Sequence, residues 1–377
     1  MKVNYSSLFL KTQDFKKDFY GTSPSVFVGR FNYPNINVGI LAPPEIIEDA
    51  VVYDSPRIWF NNEFTQKEIL DLRLNLINSR FNSHVKSYNK YLDITKEIAM
   101  SLKGADLEIN LKNKPSKKLT LYNFTAPTGP KAELVKARIT SNVKVDSRVE
   151  KVVDDSDLKA DEAVLYLYKK GFEESFLTKL ISTGNLGLKK NRKLVPSKWS
   201  ITLIDDIIGK KFIDDIKNYQ VLEKPRLYYG DYFGNYYFIL LFPDVWGYEL
   251  YEKKHDEFWT DFEFYHGRKT YAEDTAGGYY SNRLAVLEKL DQLKKQAAVF
   301  SLRIVTDEYK NSLGVWVVRE CSRKSMQNYL EFENNELMID YIKTLIKNKF
   351  SFDISEILKQ SKILALIKNQ VKLTNFL

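Results

Sequence analysis

The segment Tyr236-Tyr-Phe-Ile-Leu-Leu-Phe242 is a continuous run of apolar and aromatic side chains that contains no charged residue. Its length is typical of a strand and short for a helix, and it lacks the alternation of apolar and polar residues that marks a half-exposed strand. A strand without that alternation is one that is covered on both faces of its sheet. The segment therefore predicts a strand in the interior of the fold, buried on both sides.

Further strands are predicted on either side of this segment. Residues 23–41 form two short paired strands separated by a turn at Tyr33-Pro34-Asn35, because apolar residues recur at every second position on each side of the turn. Leu107, Ile109 and Leu111 alternate in the same way. The apolar run at residues 315–318 predicts another strand.

Helices are predicted by apolar residues at a spacing of three to four. Thr65 and Glu68 form a capping box ahead of a helix, and a second helix is expected from Ser281 through residues 283–297. Two more helices are expected over residues 336–349 and 355–369. Gly209 interrupts residues 203–216, which predicts that they do not form one long helix. Residues 163–168 fit either a strand or the start of a helix.

This mixture of elements predicts an α+β fold with a mixed sheet. We expect one large core domain over residues 1–332, a helical extension over residues 333–369 and a separate tail of residues 370–377. With 377 residues, of which 44% are hydrophobic, the chain can bury a sizeable core.

Charge and residue usage restrict the class of protein. The net charge of +8 suits an anionic partner, and the basic run at residues 189–193 either remains solvated or contacts nucleic-acid phosphates. No long apolar stretch or secretory leader is apparent, which predicts a cytoplasmic protein that is associated with the nucleoid and not with a membrane. The chain has one cysteine and three histidines. A zinc ribbon is therefore not expected, and a metal held by Asp and Glu oxygens would be Mg²⁺ or Mn²⁺.

Three arginines and two glycines are candidates for a cofactor-binding or anion site. Arg30, Arg268 and Arg283 could bind phosphates through their guanidinium groups. Gly277 and Gly278 precede the helix expected at Ser281, and backbone N–H groups at a helix N-terminus favour an anion. Standard glycine-rich phosphate-loop motifs are absent.

The candidate catalytic residues are Asp261, Glu263 and Glu320. Asp261 and Glu263 face the same way if they lie on a strand, and carboxylates that converge on Mg²⁺ would permit hydrolysis of a phosphodiester. An ion pair between Asp261 and Arg268 is the structural alternative.

The chain closes with Gln370-Val-Lys-Leu-Thr-Asn-Phe-Leu377, which reads Q-x-x-L-x-x-F-L. In one helical turn, Leu373, Phe376 and Leu377 project from the same side as an apolar plug, while Gln370 can hydrogen-bond at the rim of a pocket. The pattern resembles the peptide by which DNA-repair and replication proteins bind the sliding clamp PCNA. The alternative is a C-terminal helix that packs its apolar end on its own core.

Several motifs resemble those of the archaeal NreA/NreB family, and the resemblance covers about residues 20 to 377. They are Phe27-Val-Gly-Arg30, Tyr33-Pro34, Ser55-Pro-Arg-Ile-Trp-Phe60, Val195-Pro-Ser-Lys-Trp-Ser-Ile-Thr202, Gly267-Arg-Lys-Thr-Tyr271, Gly277-Gly-Tyr-Tyr280 with Arg283, and Gly314-Val-Trp-Val-Val-Arg-Glu320. The resemblance implies a role in archaeal DNA repair and a C-terminal clamp-binding peptide. Many members of that family resemble zinc-ribbon proteins at their N-terminus, whereas this chain has no cysteine there.

Three hypotheses follow for the function. The protein is a repair factor that the clamp recruits to DNA, with a core that binds a nucleotide or nucleic acid. Alternatively, the core is also an enzyme, a metal-dependent phosphodiesterase or nuclease. In the third hypothesis the protein is a non-catalytic adaptor that links the clamp to other repair proteins.

Overall fold

The computed structural model describes residues 15–115 and 126–369. The chain divides into two compact units. Unit 1 comprises the residues up to 208 together with 311–316, and unit 2 comprises residues 209–310 together with those from 317 onward. Both units combine helices with a six-stranded mixed sheet, so the predicted α+β class is confirmed. The predicted boundaries at residues 332 and 369 stay a prediction about domains.

Unit 1 contains one six-stranded sheet with helices packed against it. Its strands are β1 (Asp18–Ser23), β2 (Ser25–Val28), β3 (Asn35–Ala42), β4 (Ile77–His84), β5 (Ala105–Leu111) and β6 (Lys131–Ile139). Its helices are α1 (Pro56–Asn61), α2 (Gln66–Asn75), α3 (Lys90–Met100), α4 (Ser147–Asp154), α5 (Ala160–Lys169) and α6 (Glu174–Ser182). The strand order is β1-β5-β6-β4-β3-β2, in which β4 and β6 are parallel and the other neighbours are antiparallel.

The local predictions for unit 1 are confirmed where a turn or cap specified them. Strands β2 and β3 pair as the expected hairpin, with Val28 opposite Val38. Helix α2 begins with the capping box, in which Thr65 Oγ1 accepts from the Glu68 amide at 3.2 Å and Glu68 Oε2 accepts from the Thr65 amide at 2.7 Å. Residues 163–168 belong to helix α5, which resolves the alternative left open by the sequence.

The prediction that Gly209 interrupts a helix is wrong. Helix α7 (Ser197–Ile216) runs through Gly209 and spans the division between the units. Glycine costs about 1 kcal/mol relative to alanine inside a helix. Burial of the flanking Ile204, Ile208, Ile213 and Ile216 outweighs that cost, since a buried isoleucine contributes roughly 1.5 to 3 kcal/mol.

Unit 2 contains the second six-stranded sheet and a short two-stranded one. Its strands are β7 (Gln220–Val221), β8 (Arg226–Tyr232), β9 (Asn235–Phe242), β10 (Gly247–Lys254), β11 (Glu257–Glu263), β12 (Lys295–Gln296), β13 (Ala298–Val305) and β14 (Tyr329–Glu331). Its helices are α8 (Ala276–Leu293), α9 (Trp316–Ser325), α10 (Asn335–Phe350), α11 (Ser355–Gln360) and α12 (Lys362–Asn369). The larger sheet has the order β11-β10-β13-β9-β8-β14, with β10 and β13 parallel, and β7 pairs with β12.

Strand β9 contains the apolar run at residues 236–242 and lies inside this sheet, as predicted. Its side chains alternate between two clusters of buried residues. Tyr237, Ile239 and Leu241 belong to the cluster that contains residues of α8 and α9, whereas Phe238 and Leu240 belong to the cluster that contains residues of α10, α11 and α12. The prediction that both faces of this strand are buried is confirmed.

The strand predicted at residues 315–318 is wrong, because helix α9 begins at Trp316. An apolar run of four residues does not distinguish a strand from the first turn of a buried helix. Val318, Cys321 and Met326 then contribute to one buried cluster of unit 2, which requires helical spacing.

The single helix expected over residues 355–369 is two helices, separated at Ser361. The buried carboxylate of Glu249 on β10 accepts hydrogen bonds from Ser361 Oγ at 2.5 Å, from the Lys362 amide at 3.0 Å and from the Ile363 amide at 3.2 Å. This contact caps α12 from outside its own sequence, which no local pattern could predict. Within the two described ranges, no helix is both long and apolar enough to cross a membrane.

Candidate functional site

Asp261 and Arg268 form an ion pair in unit 2 at the edge strand β11. The distance from Arg268 Nη2 to Asp261 Oδ1 is 2.7 Å, and the second oxygen of Asp261 accepts from the amide and hydroxyl of Thr275 at 2.8 and 2.9 Å. Arg268 also donates to the carbonyl oxygens of Phe262, Thr270 and Tyr271, each at 3.0 Å. Both side chains therefore tie β11 to the loop before α8, as the structural alternative predicted.

Glu263 and Arg283 form a second, more deeply buried ion pair. Arg283 Nη1 lies 2.6 Å from Glu263 Oε2, and the two side chains are 1% and 0% exposed. Trp246 Nε1 donates to the other oxygen of Glu263 at 3.2 Å. The guanidinium carbons of Arg268 and Arg283 each lie 5.5 Å from the centre of the Tyr279 ring. We call Asp261, Glu263, Arg268, Arg283 and Tyr279 the ionic cluster.

Tyr279 is buried next to the ion pair of Glu263 and Arg283, and this environment changes its pKa. Burial, together with the negative charge of Glu263, raises the pKa of Tyr279 well above its ordinary value. Its hydroxyl therefore stays protonated at neutral pH. The carboxylates of Asp261 and Glu263 balance the charges of the two arginines. A role for Arg268 and Arg283 in binding an anion stays a prediction.

Gly277 and Gly278 lie inside helix α8 and not ahead of it, which corrects the predicted start at Ser281. Both glycines are buried. A methyl group on Gly278 would lie 2.5 Å from Glu252 Oε1, and that carboxylate is held by Arg303 at 2.7 Å. The absence of a side chain thus lets the first turn of α8 approach Glu252. At the N-terminus of α8, a carboxylate of the chain itself, that of Asp261, accepts hydrogen bonds from the amide and hydroxyl of Thr275.

Glu320, the third predicted catalytic acid, belongs to another group of charges. It lies on α9, where its carboxylate is 2.9 Å from Arg323 Nη1, and Arg323 also contacts Glu288 at 2.6 Å. Among the residues that the structure describes, no three or more His, Cys, Asp or Glu side chains are placed to hold a metal ion. The ionic cluster does not resemble a Mg²⁺ or Mn²⁺ site, because the carboxylates of Asp261 and Glu263 form ion pairs with arginines. Catalytic roles for Asp261, Glu263 and Glu320 stay predictions.

Arg30 lies in unit 1, apart in the chain from the arginines of the ionic cluster. It follows β2 at an exposed position, with its guanidinium carbon 5.1 Å from the centre of the Phe31 ring. Its positive charge contributes, after burial, to lowering the pKa of Lys198. Arg30 and Lys198 thus place two positive charges near each other in unit 1. In the ionic cluster, by contrast, each arginine is paired with a carboxylate.

The predicted clamp-binding residues Gln370, Leu373, Phe376 and Leu377 lie outside the described residues, which end at Asn369. Their role stays a prediction. Helix α12 ends directly before them, with its own N-terminus capped by Glu249.

Sequence reasoning did not identify Tyr88 and Lys96, which have the properties of a binding surface in unit 1. Tyr88 is 86% exposed, and Lys96 Nζ lies 5.7 Å from the centre of its ring. Tyr33 was identified as a turn residue and as part of the motif Tyr33-Pro34, and Lys193 Nζ lies 3.4 Å from its hydroxyl. The available signal was the basic run at residues 189–193, and the fold was needed to bring the aromatic residues to it.

Fold and site together define the class. This is an α+β protein of two sheet-based units, with a buried ionic cluster in unit 2 and an electropositive, aromatic surface in unit 1. Residues 2–260 match the family model "Archaeal Nre, N-terminal", and residues 263–376 match "Archaeal Nre, C-terminal". The chain belongs to the archaeal Nre family.

Curated relatives agree with this assignment. The chain is 34% identical over 325 residues to the DNA repair protein NreA of Haloferax volcanii, covering 81% of this chain and 77% of that protein. It is 34% identical over 339 residues to the DNA repair protein NreB of Archaeoglobus fulgidus, covering 87% and 85% of the two chains. The NreA protein of the same organism is also 34% identical over 339 residues, covering 86% and 84%. No solved structure matches this chain.

Proposed function

We propose that this protein is a DNA repair factor that binds the sliding clamp PCNA through residues 370–377 and contacts nucleic acid with its core. The observation that carries the proposal is the match to DNA repair proteins NreA and NreB at 34% identity over most of both chains. The family model for the C-terminal part extends to residue 376 and so includes every residue of the tail except Leu377.

The chemistry of the tail supports the clamp as its partner. Leu373, Phe376 and Leu377 can form one apolar face of a helical turn, and burying them in a pocket contributes roughly 5 to 8 kcal/mol before the cost of ordering the peptide. Hydrogen bonds from Gln370 at the rim of the pocket offset part of that cost. Since roughly 5 to 8 kcal/mol corresponds to a dissociation constant of about 200 μM to 1 μM, we expect binding in the micromolar range. An affinity of this size suits a factor that is recruited and released, and a second contact with DNA would raise its occupancy by avidity.

Titration calorimetry of the full chain with an archaeal PCNA tests the proposal. The variant Phe376→Ala should lose about 10- to 100-fold in affinity, because a buried phenylalanine contributes roughly 1.5 to 3 kcal/mol. Thr374→Ala changes the same tail at a position outside the Q-x-x-L-x-x-F-L pattern and should bind like the wild type.

Two results would contradict the proposal. One is a wild-type chain that does not bind PCNA, and the other is a Phe376→Ala variant that binds as tightly as Thr374→Ala. The second result would mean that another surface of the protein makes the contact.

A further inference from the structure

A cavity in unit 1 has the composition of a nucleotide-binding pocket. Its volume is about 250 Å³, and the loop after β4, helix α3, the end of α6 and residues 189–194 form its walls. Five basic side chains line it: Lys86, Lys96, Lys189, Arg192 and Lys193. No Asp or Glu is among the described residues of its lining. Ligand pockets are of the order of 300 Å³ or more, so this one suits a small group such as a single base.

Arg192 stabilises the wall of the cavity through hydrogen bonds to the backbone, whereas the lysines can contact a ligand. Its guanidinium group donates to the carbonyl oxygens of Gly187, Val153 and Asp155 at 2.7, 2.6 and 2.7 Å. Lys189 and Lys193 are exposed, and within the described chain neither forms an ion pair with a carboxylate. Lys96 lies 3.8 Å from Asp93, which is largely solvated and screens it only in part.

An exposed aromatic ring stands at the cavity. Tyr88 is 86% exposed, so its ring is accessible to a ligand, and Lys96 Nζ lies 5.7 Å from the ring centre. Leu92, Met100 and Leu194 supply an apolar lining beneath the lysines. A base can stack on the ring while its phosphate contacts the lysines, which is the arrangement that single-strand binding proteins use.

The surface next to the cavity continues from Lys193 to two further exposed aromatic residues, Tyr33 and Trp199. Lys193 Nζ lies 3.4 Å from the hydroxyl of Tyr33, whose ring centre lies 5.3 Å from that of Trp199. Trp199 is 45% exposed and Tyr33 is 41% exposed. The supporting backbone is continuous, because the Val85 amide donates to Pro34 at 3.0 Å and the Leu194 amide donates to Val85 at 2.9 Å. Exposed aromatic rings and lysines therefore lie together on one surface of unit 1.

We infer that this basic–aromatic strip, made of Tyr33, Tyr88, Lys96, Lys189, Lys193 and Trp199, binds single-stranded nucleic acid, with one nucleotide seated in the cavity at Tyr88. The inference rests on the proposed function, since it locates the core's contact with nucleic acid. It assigns that contact to unit 1 and not to the ionic cluster of unit 2. The strip recognises phosphates and the flat faces of bases, so it discriminates little between sequences.

Fluorescence anisotropy with a labelled 12-nucleotide single strand and the full chain tests the inference. Tyr88→Ala should weaken binding roughly 5- to 100-fold, because stacking on an aromatic ring is lost. The pair Lys189→Glu and Lys193→Glu should weaken binding at least tenfold and should reduce the slope of log K against log salt by about 0.7 for each lost phosphate contact.

Matched controls lie at the other edge of the same sheet. Tyr20 on β1 is 59% exposed, and Lys16 and Lys17 are exposed residues ahead of it. Tyr20→Ala should bind like the wild type. Lys16→Glu with Lys17→Glu changes the net charge by the same amount as the strip variant and should cost less than threefold. Thermal unfolding of each variant checks that the fold is retained.

Each outcome decides between explanations. If the wild type binds no nucleic acid but binds PCNA, the core part of the proposed function and this inference both fail, while the tail proposal stands. Wild-type binding that the strip variants leave unchanged overturns the inference alone. A duplex that binds as well as the single strand, with no effect of Tyr88→Ala, overturns base stacking. Competition by a mononucleotide that Tyr88→Ala abolishes supports the cavity as the nucleotide site.

Discussion

At the scale of single residues, the pairing of acids with arginines decides how unit 2 is interpreted. Asp261 and Glu263 were candidates for catalysis because they share one face of β11, and that shared orientation is present. Each carboxylate forms an ion pair with an arginine: Asp261 with Arg268 at 2.7 Å, and Glu263 with Arg283 at 2.6 Å. Burying a carboxylate without such a partner would cost several kcal/mol of stability. Pairing with the arginines therefore accounts for the burial of the two acids without a catalytic role.

The Glu263–Arg283 pair yields the first stability prediction. Arg283→Met should cost about 3 to 5 kcal/mol in the free energy of unfolding, because it leaves the charge of Glu263 buried without its partner. The double variant Glu263→Gln with Arg283→Met should cost less than Arg283→Met alone, since both charges are removed. Urea denaturation of the three proteins measures the difference.

An exposed ion pair supplies the comparison. Lys359 and Glu356 are 2.6 Å apart, with side chains that are 71% and 73% exposed, so Lys359→Met should change stability by less than about 1 kcal/mol. An Arg283→Met variant as stable as Lys359→Met would show that the buried pair contributes nothing beyond packing.

At the scale of elements, two glycines in helices have opposite roles. Gly209 lies in the middle of α7, where an added methyl group would find Arg283 Nη2 at 3.4 Å, an ordinary contact distance. Gly278 lies in the first turn of α8, where the same group would meet Glu252 Oε1 at 2.5 Å. Local sequence ranks both positions as helix breakers, and only the surroundings distinguish them.

The two alanine variants should therefore differ in sign. Gly209→Ala should leave stability unchanged or raise it by up to about 1 kcal/mol, because alanine favours the helix. Gly278→Ala should lower stability by about 1 to 3 kcal/mol, since Glu252 is held by Arg303 and cannot move away without losing that contact. Thermal and urea unfolding of both variants give the comparison, and a stabilising Gly278→Ala would contradict the packing described at the start of α8.

At the scale of the whole molecule, the fold and the clamp-binding tail should be separable. Among the residues that the structure describes, the buried clusters of the two units extend as far along the chain as Ile367 in α12. Ile363 and Leu364 of α12 are buried, and the amides of Lys362 and Ile363 satisfy Glu249. The described fold thus depends on α12.

Two truncations test this separation. A chain that ends at residue 369 should keep its stability within about 0.5 kcal/mol and lose binding to PCNA. A chain that ends at residue 361 should lose at least about 4 kcal/mol, because two buried aliphatic side chains are removed and Glu249 is left without two of its donors. If removal of residues 370–377 alone cost several kcal/mol, the tail would be part of the core and the proposed clamp contact would be untenable.

The sequence by itself determined the features that depend on neighbours along the chain. The capping box at Thr65, the turn at Tyr33-Pro34, the strand at residues 236–242 and the α+β class follow from hydrogen bonds or periodicity within a few residues. The motifs that resemble the Nre family also belong to this level, since they are read without knowing where each segment lies. For these features, local physical chemistry and the final structure agree.

Only the tertiary structure decided the features that depend on distant partners. Glu249 divides the last helical segment from more than a hundred residues away, Arg268 and Arg283 take up the carboxylates that were candidates for catalysis, and Tyr33, Tyr88 and Lys193 meet on one surface. For the two ionic features, the physical reason is that a buried charge must find a partner wherever the fold places one. No pattern along the chain specifies that partner, because it is chosen in space. For the exposed residues, the reason is that the fold brings together segments that are far apart in the chain.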